Sequence, residues 1–216
     1  MKCGTKRSLH QARLCWASTQ EHADRTLTTV ISGGQTGADL AALSAAQKIG
    51  FKTGGRSLKR MREYDIEEVS AASVLRHGSP LVARSIANVE QADGTVAFRT
   101  AASPGTDKTI GYCVTGKWVT VDPSRASQLE TEKQHKPLLV LRNSYSQTNF
   151  LAQQIADFVY HNKIRVLNVC GHRSDERAFF AGYTQAVERI MCVALIKIKQ
   201  EQHRTKKHAQ PTLFFQ

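Results

Sequence analysis

This sequence predicts an α/β fold with a mainly parallel central sheet and helices on both faces. Three observations carry the prediction. Short aliphatic or β-branched runs alternate with segments of helical spacing along most of the 216 residues. The first such run stops at a glycine turn that leads directly into a helix, the opening of a strand–helix–strand unit. Finally, 41% hydrophobic against 22% charged residues supplies enough apolar material for a packed core. That balance argues against wholesale disorder and against a small disulfide scaffold.

The elements follow in order. Residues 26–32 (T-L-T-T-V-I-S) are rich in β-branched side chains and form a buried strand. Gly33-Gly34-Gln35-Thr36-Gly37 turns the chain. Residues 38–49 place Leu40, Leu43, Ala46 and Ile49 at helical spacing, and Gly50 follows where a left-handed cap belongs. Residues 51–53 read as a short strand closed by Gly54-Gly55. A basic loop with Arg56, Lys59, Arg60 and Arg62 comes next. Residues 66–75 and 84–91 read as helices, and 94–99 as a strand entered through the Asp93-Gly94 turn.

Residues 101–108 form a Ser/Pro/Gly loop before a helix over 107–114. The polar stretch 118–136, with Pro123, reads as an insertion. Residues 137–141 are a strand and 149–160 an amphipathic helix with Leu151, Ile155, Phe158 and Val159 on one side. Residues 164–169 are another strand. Cys170 to Ser174 form a loop, and Ser174-Asp175-Glu176-Arg177 caps a further helix. Residues 191–198 fit either a helix end or a strand. The organisation expected is a basic arm (1–25), one domain (26–198) and a basic tail (199–216).

The net charge of +12 and the pI of about 9.7 point to an anionic partner. Both ends are basic, so nucleic acid is expected to meet the tails if it binds at all. Cys3, Cys15, Cys113, Cys170 and Cys192 are scattered and contain no C-x-x-C pair. Free thiols in a reducing compartment fit that pattern better than zinc or disulfides. No run of about 18 apolar residues suggests a membrane span. A cytoplasmic protein is expected, with an organellar transit peptide as the other reading of the basic start.

Right-handed crossovers place every strand-to-helix loop at the carboxyl edge of a parallel sheet. Three loops remote in sequence should therefore converge: 32–39, 99–108 and 171–175. The first, S-G-G-Q-T-G-A-D, combines glycines with Ser32, Gln35 and Thr36 at a helix start, which suits an oxyanion. It is neither a G-K-[ST] phosphate loop nor a G-x-G-x-x-G fingerprint. The second puts Gly105, Thr106, Lys108 and Thr109 at another helix start. The third offers Gly171, His172 and Arg173, where an arginine can grip a phosphate in a forked geometry. Gly33, Gly34, Gln35, Thr36, Gly37, Gly105, Thr106, Lys108, Gly171 and Arg173 are the binding candidates. His172 is a candidate proton-transfer group, with a plain loop histidine as the alternative. Arg84 and Asn88 share a helix face beside the expected crevice. Asp39 is expected to orient the glycine loop. No catalytic set and no metal-ligand set stands out.

These residues resemble a family. Residues 32–39, Gly50, Thr53-Gly54-Gly55, Arg84, Asn88-Val89, Asp93-Gly94-Thr95, Gly105-Thr106, Lys136-Pro137-Leu138 and the run from Leu167 to Arg173 resemble the molybdenum-cofactor-carrier-like proteins of the SLOG group. The likeness covers residues 28–190. It implies a Rossmann-like three-layer sandwich, often oligomeric, that binds molybdenum cofactor (molybdopterin) or a nucleotide-like ligand. The chain departs from the family where Arg56-Ser57-Leu58-Lys59-Arg60 replaces a Pro-Lys-Gly-Arg-like stretch and where Pro104 replaces a glycine. The sugar-hydrolase motif of related enzymes is incomplete, with no glutamate after Pro104-Gly105-Thr106. A carrier of a phosphate-bearing anion is the expected function. A nucleotide-processing hydrolase and a nucleic-acid-binding protein are the alternatives.

Overall fold

The computed structural model describes residues 26–122, 134–142, 146–173 and 182–209. The expected arm at 1–25, most of the expected insertion, and Asp175 with its neighbours lie outside these residues. Six strands, all parallel, form the sheet: β1 (Thr29–Ser32), β2 (Lys52–Ser57), β3 (Ile66–Glu68), β4 (Gly94–Phe98), β5 (Leu138–Leu141) and β6 (Val166–Gly171). Among the described residues six α-helices flank it: α1 (Ala38–Ile49), α2 (Ala71–His77), α3 (Pro80–Gln91), α4 (Pro104–Thr115), α5 (Thr148–His161) and α6 (Tyr183–Ala209).

The strand order is β3-β2-β1-β6-β4-β5. The last strand of the chain thus lies in the middle of the sheet. Val30 pairs with Leu167 on one side of it, and Val96 pairs with Val169 on the other. From β1 the chain winds outward through β2 to β3, and from β4 it winds the other way to β5. The crevice of a doubly wound sheet forms where the winding reverses, at the carboxyl ends of the strands. Here that point is β1, β6 and β4, side by side.

Two apolar layers cover the sheet. On one face α1, α5 and α6 pack over Val30, Phe98 and Leu167, with Ile155, Ile190 and Leu195 fully buried. On the other, Val89 of α3 and Ile110 and Cys113 of α4 pack against Ala97 and Leu138. Burying a side chain of this size contributes about 1.5–3 kcal/mol, so both layers matter to stability.

The structure corrects several sequence expectations. The glycine pair at 54–55 does not end β2; the strand runs through it. A Cβ at Gly55, whose φ is +125°, would collide with the carbonyl oxygen of Ser32. The glycine is there to let β2 lie close to β1. Residues 66–75 are not one helix. Ile66–Glu68 is the edge strand β3, and Ser70 then caps α2 by accepting the Ser73 N–H at 3.3 Å. Helices α3 and α4 begin earlier than expected, because Pro80 and Pro104 occupy first-turn positions where a missing N–H costs nothing. Residues 191–198 are interior to α6, which continues to Ala209, so the expected tail is helical that far.

Candidate functional site

The loop after β1 is built tightly against its neighbours. Ser32 Oγ donates to the carbonyl oxygen of Val169 at 2.6 Å, tying β1 to β6. The N–H groups at the start of α1 are largely taken up within the protein. Ala38 N–H donates to the His172 carbonyl at 3.1 Å, Leu40 N–H to the Gln35 carbonyl at 3.1 Å, and Gln35 N–H to Asp39 Oδ2 at 3.3 Å. Three amides of the expected backbone cradle, those of Gln35, Ala38 and Leu40, are therefore committed to holding the loop itself. Gly34 turns at φ +68° toward Met61, Gly37 precedes α1, and Thr36 is exposed. None of the three lines the cleft.

Arginine supplies what the loop amides do not. Arg84 projects from α3 against Gly33, where any Cβ would strike its guanidinium. Arg84 Nη1 donates to the Gly33 carbonyl at 2.9 Å, and Nη2 donates to Gln35 Oε1 at 3.0 Å. Arg173 Nε, from the loop after β6, donates to the same Gln35 oxygen at 3.0 Å. Two guanidinium groups thus share one neutral acceptor. Asp39 is the nearby counter-charge, 3.8 Å from Arg84 Nη1. Both Asp39 and Arg84 are buried, at 6% and 8% exposure, while Arg173 is exposed at the rim. Burial raises the Asp39 carboxyl above the ordinary carboxylate value of 3.8, with Arg84 pulling the other way. Burial also lowers Arg84, opposed by Asp39 and reinforced by the Arg173 charge. Among the described residues two cations thus stand against one weakened anion, an excess of positive charge.

The loops after β4 and β6 close the floor. Thr106 Oγ1 donates to the Gly171 carbonyl at 3.1 Å and accepts from Ser103 Oγ at 3.0 Å. Gly105, in the first turn of α4, is exposed, and a Cβ there would meet nothing within 4 Å. Amides in the first turn of a helix have no intrahelical acceptor, so this helix start faces the cleft with its positive dipole end. Asp107 is not a ligand-facing acid. Arg99 grips it at 2.5 and 3.2 Å, and it accepts the Ser103 N–H at 3.2 Å as a cap. Lys108 is exposed and is not among the residues that line the cleft.

His172 is buried and structural in its ring contacts. Its Nε2 accepts from the N–H groups of Thr100 and Ala101, both at 3.1 Å, and its own N–H donates to Tyr183 Oη at 3.0 Å. A nitrogen that accepts from two amides has no lone pair left for a ligand's proton. Asn88 is likewise committed. Its Oδ1 accepts from Arg56 N–H at 2.6 Å, and its Nδ2 donates to the Arg56 carbonyl at 3.0 Å, clamping α3 to β2.

The result is a cleft of about 510 Å³. Of the predicted residues it brings together Gly33, Gln35, Gly105, Thr106, Gly171 and Arg173, joined by Asp39, Arg84, Asn88, Thr109 and His172. Ser103, from the loop 99–108, and Asn168 and Cys170, from the run 167–173, line it too, while Leu81, Ser85 and Trp118 line it with no sequence motif to mark them. The one available signal was Trp118, a lone aromatic residue in a polar stretch. Burial raises the Cys170 thiol well above its ordinary value, so it stays protonated. Among the described residues no group of three His, Cys, Asp or Glu side chains could hold a metal ion, and no helix is long and apolar enough to cross a membrane.

The fold has known counterparts. Residues 30–192 match the circularly permutated YpsA SLOG family. The chain belongs to that family. Among solved structures, the chain is similar to a Syntrophus aciditrophicus SB protein provisionally named a molybdenum carrier, whose crystal structure extends to 1.45 Å. The two are 25% identical, with a TM-score of 0.53, over 79% of this chain and 96% of that one. A comparison with curated proteins finds no match. For this SLOG-family chain, then, the α/β fold and the family named by the sequence resemblance both stand.

Proposed function

We propose that this SLOG-family protein binds and carries a phosphate-bearing anionic small molecule in the cleft at the carboxyl ends of β1, β6 and β4. One observation carries the proposal: Arg84 and Arg173 converge on the single neutral oxygen of Gln35, and among the described residues Asp39 is the acid that stands against Arg84. A ligand oxyanion is the natural replacement for that oxygen, since charge-assisted hydrogen bonds from arginine are about twice as strong as neutral ones. The start of α4 adds amide donors on the facing wall.

The Syntrophus protein is called a molybdenum carrier, which makes molybdenum cofactor the first candidate. The residues present fit such a group: two arginines for its phosphate, and a cleft of about 510 Å³ within the usual 300–1,000 Å³ range for small-molecule sites. Arg84, Arg173 and the amides of Gly105 and Thr106 would hold it. When bound, the group supplies a metal centre for a recipient enzyme's redox chemistry, and carriage itself asks only that this chain hold the phosphate and shield the ring. The hydrolase alternative needs a free acid or base over the cleft; there Asp39 accepts the Gln35 N–H beside Arg84, and His172 Nε2 accepts from two backbone N–H groups.

Isothermal titration with inorganic phosphate and with molybdopterin tests the proposal. Saturable binding that Arg173→Ala weakens at least tenfold is expected. No heat with either compound, or binding indifferent to both arginines, overturns it.

A further inference from the structure

A second groove lies at the opposite edge of the sheet from the cleft. Its walls are the last turns of α5 and α6, and its volume is about 880 Å³. Thr26 and Leu27, just before β1, and Lys163, just before β6, line it. It therefore sits at the amino ends of the strands, separated from the cleft by the length of β6, about 20 Å.

Helices α5 and α6 run in the same direction, because each crosses back from the carboxyl edge of the parallel sheet to its amino edge. Lys197 Nζ of α6 donates to Gln153 Oε1 of α5 at 3.1 Å, which sets their register. Two turns further along each helix stand Arg204 and Tyr160, and both line the groove. Tyr160 is 67% exposed, so a stacking partner can reach its ring. Lys163 follows in the turn out of α5, where its N–H donates to the Tyr160 carbonyl at 3.1 Å. It holds a φ of +53°, a conformation that glycine or asparagine adopts at less cost. The turn itself thus gives no reason for a lysine, whereas an exposed ammonium at the groove does. Two acids also line the groove, each beside a partner. Asp157 accepts from Gln153 Nε2 at 2.9 Å, and Glu201 stands 3.8 Å from Arg204. Lys163, Lys197 and Arg204 outnumber them, and Lys206 and Lys207 continue the basic sequence of α6.

We propose that this groove binds single-stranded nucleic acid, with phosphates along Lys163, Lys197 and Arg204 and a base stacked on Tyr160. Cations that track a backbone beside an open aromatic ring are the features by which single strands are held. A duplex keeps its bases stacked inside and offers Tyr160 nothing. An acidic polypeptide satisfies the cations but not the ring. The basic end of the chain is then one wall of a folded groove rather than a tail, and the proposal makes no use of the anion cleft.

Fluorescence anisotropy on the full chain tests it, with a labelled mixed-sequence single strand of about 16 nucleotides, the same strand annealed to its complement, and polyglutamate as competitor. The single strand should bind more tightly than the duplex, and polyglutamate should compete weakly. Tyr160→Ala should weaken the single strand roughly tenfold and leave both the duplex and the salt dependence unchanged, while Tyr160→Phe retains the affinity. Lys163→Asn combined with Arg204→Gln should reduce the slope of log affinity against log salt by about 1.4, from about 0.7 per phosphate contact. Asparagine accepts the left-handed turn and Arg204 is exposed, so circular dichroism, and any phosphate binding at the cleft, should stay as in the wild type. Single-strand binding that ignores Tyr160→Ala overturns the proposal, since charge alone then accounts for it. So does a duplex bound as tightly, a salt slope unmoved by the double variant, or polyglutamate that competes as well as the strand itself. Absence of single-strand binding near physiological salt overturns it too, whatever the cleft holds.

Discussion

Gln35 has an unusual position for a neutral side chain: its amide oxygen accepts from two guanidinium groups, each at 3.0 Å. It stands where an anion's oxygen would stand. Gln35→Glu should therefore satisfy both arginines internally. The expected result is a higher melting temperature and a loss of phosphate affinity of at least tenfold; unchanged phosphate binding would mean that the arginine pair is not the seat of the anion. Asp39 acts in the opposite direction. Its folded pKa is raised above 3.8 by burial, so the folded protein holds this proton more tightly than the unfolded chain does. Asp39's contribution to stability is thus largest at low pH and declines as pH rises from 3.8 through the folded pKa. Anion binding follows the same sign, because the neutral carboxyl leaves Arg84 and Arg173 uncompensated. Affinity for sulfate, which stays dianionic across this window, should fall as pH rises through the folded pKa. Asp39→Asn should flatten that profile and hold sulfate about tenfold more tightly than the ionised wild type, a modest share of what one charge a few ångströms away contributes. Titration calorimetry at several pH values reads both effects.

Elements were legible where local chemistry and tertiary role agree. The bounds of α1 came directly from the spacing of Leu40, Leu43 and Ala46 and from Gly50, which caps the helix at φ +83°. They were misread where a residue serves a neighbour rather than its own segment. Gly54-Gly55 looks like a stop, yet Gly55 is present because the Ser32 carbonyl lies against it. Edge strand β3 has three residues with only Ile66 buried, too short for any periodicity to reveal it. The contrast between two glycines is testable. Gly55→Ala must relieve a backbone collision and a φ of +125°, and should cost at least about 2 kcal/mol. Gly105→Ala meets nothing within 4 Å and should change stability by less than about 0.5 kcal/mol, while reducing phosphate affinity by crowding the cleft. Urea denaturation of both variants separates a glycine kept for packing from one kept open for a ligand.

At the scale of the whole molecule, the convergence of the glycine loop with the loop after β6 was legible from topology alone, since parallel strands put all such loops on one edge. What the sequence did not reveal is that β6 lies between β1 and β4, which brings Gln35 and Arg173 into contact although they are 138 residues apart. Long-range strand order depends on which faces bury together, and no local pattern encodes it. The basic C-terminal stretch teaches the same lesson. By charge it reads as a solvated tail, but α6 carries it along the body. Lys199 Nζ donates to the Ile49 carbonyl at 2.6 Å, at the end of α1 where a cation meets the negative end of the helix dipole. Gln202 Nε2 donates to the Leu27 carbonyl at 3.1 Å, just before β1. Ending the chain at Ile198 removes both contacts, along with four basic residues and one acidic residue. Two such bonds, one of them charged, contribute about 2 kcal/mol together. A protein of this size should then lose roughly 4–8 °C in Tm. A solvated tail predicts no change in Tm and only a weaker, salt-sensitive attraction to polyanions. A thermal scan of the shortened chain at low and high salt therefore distinguishes a helix that holds the fold from a tail that merely carries charge: the helix requires a loss of Tm that persists when salt has screened the surface.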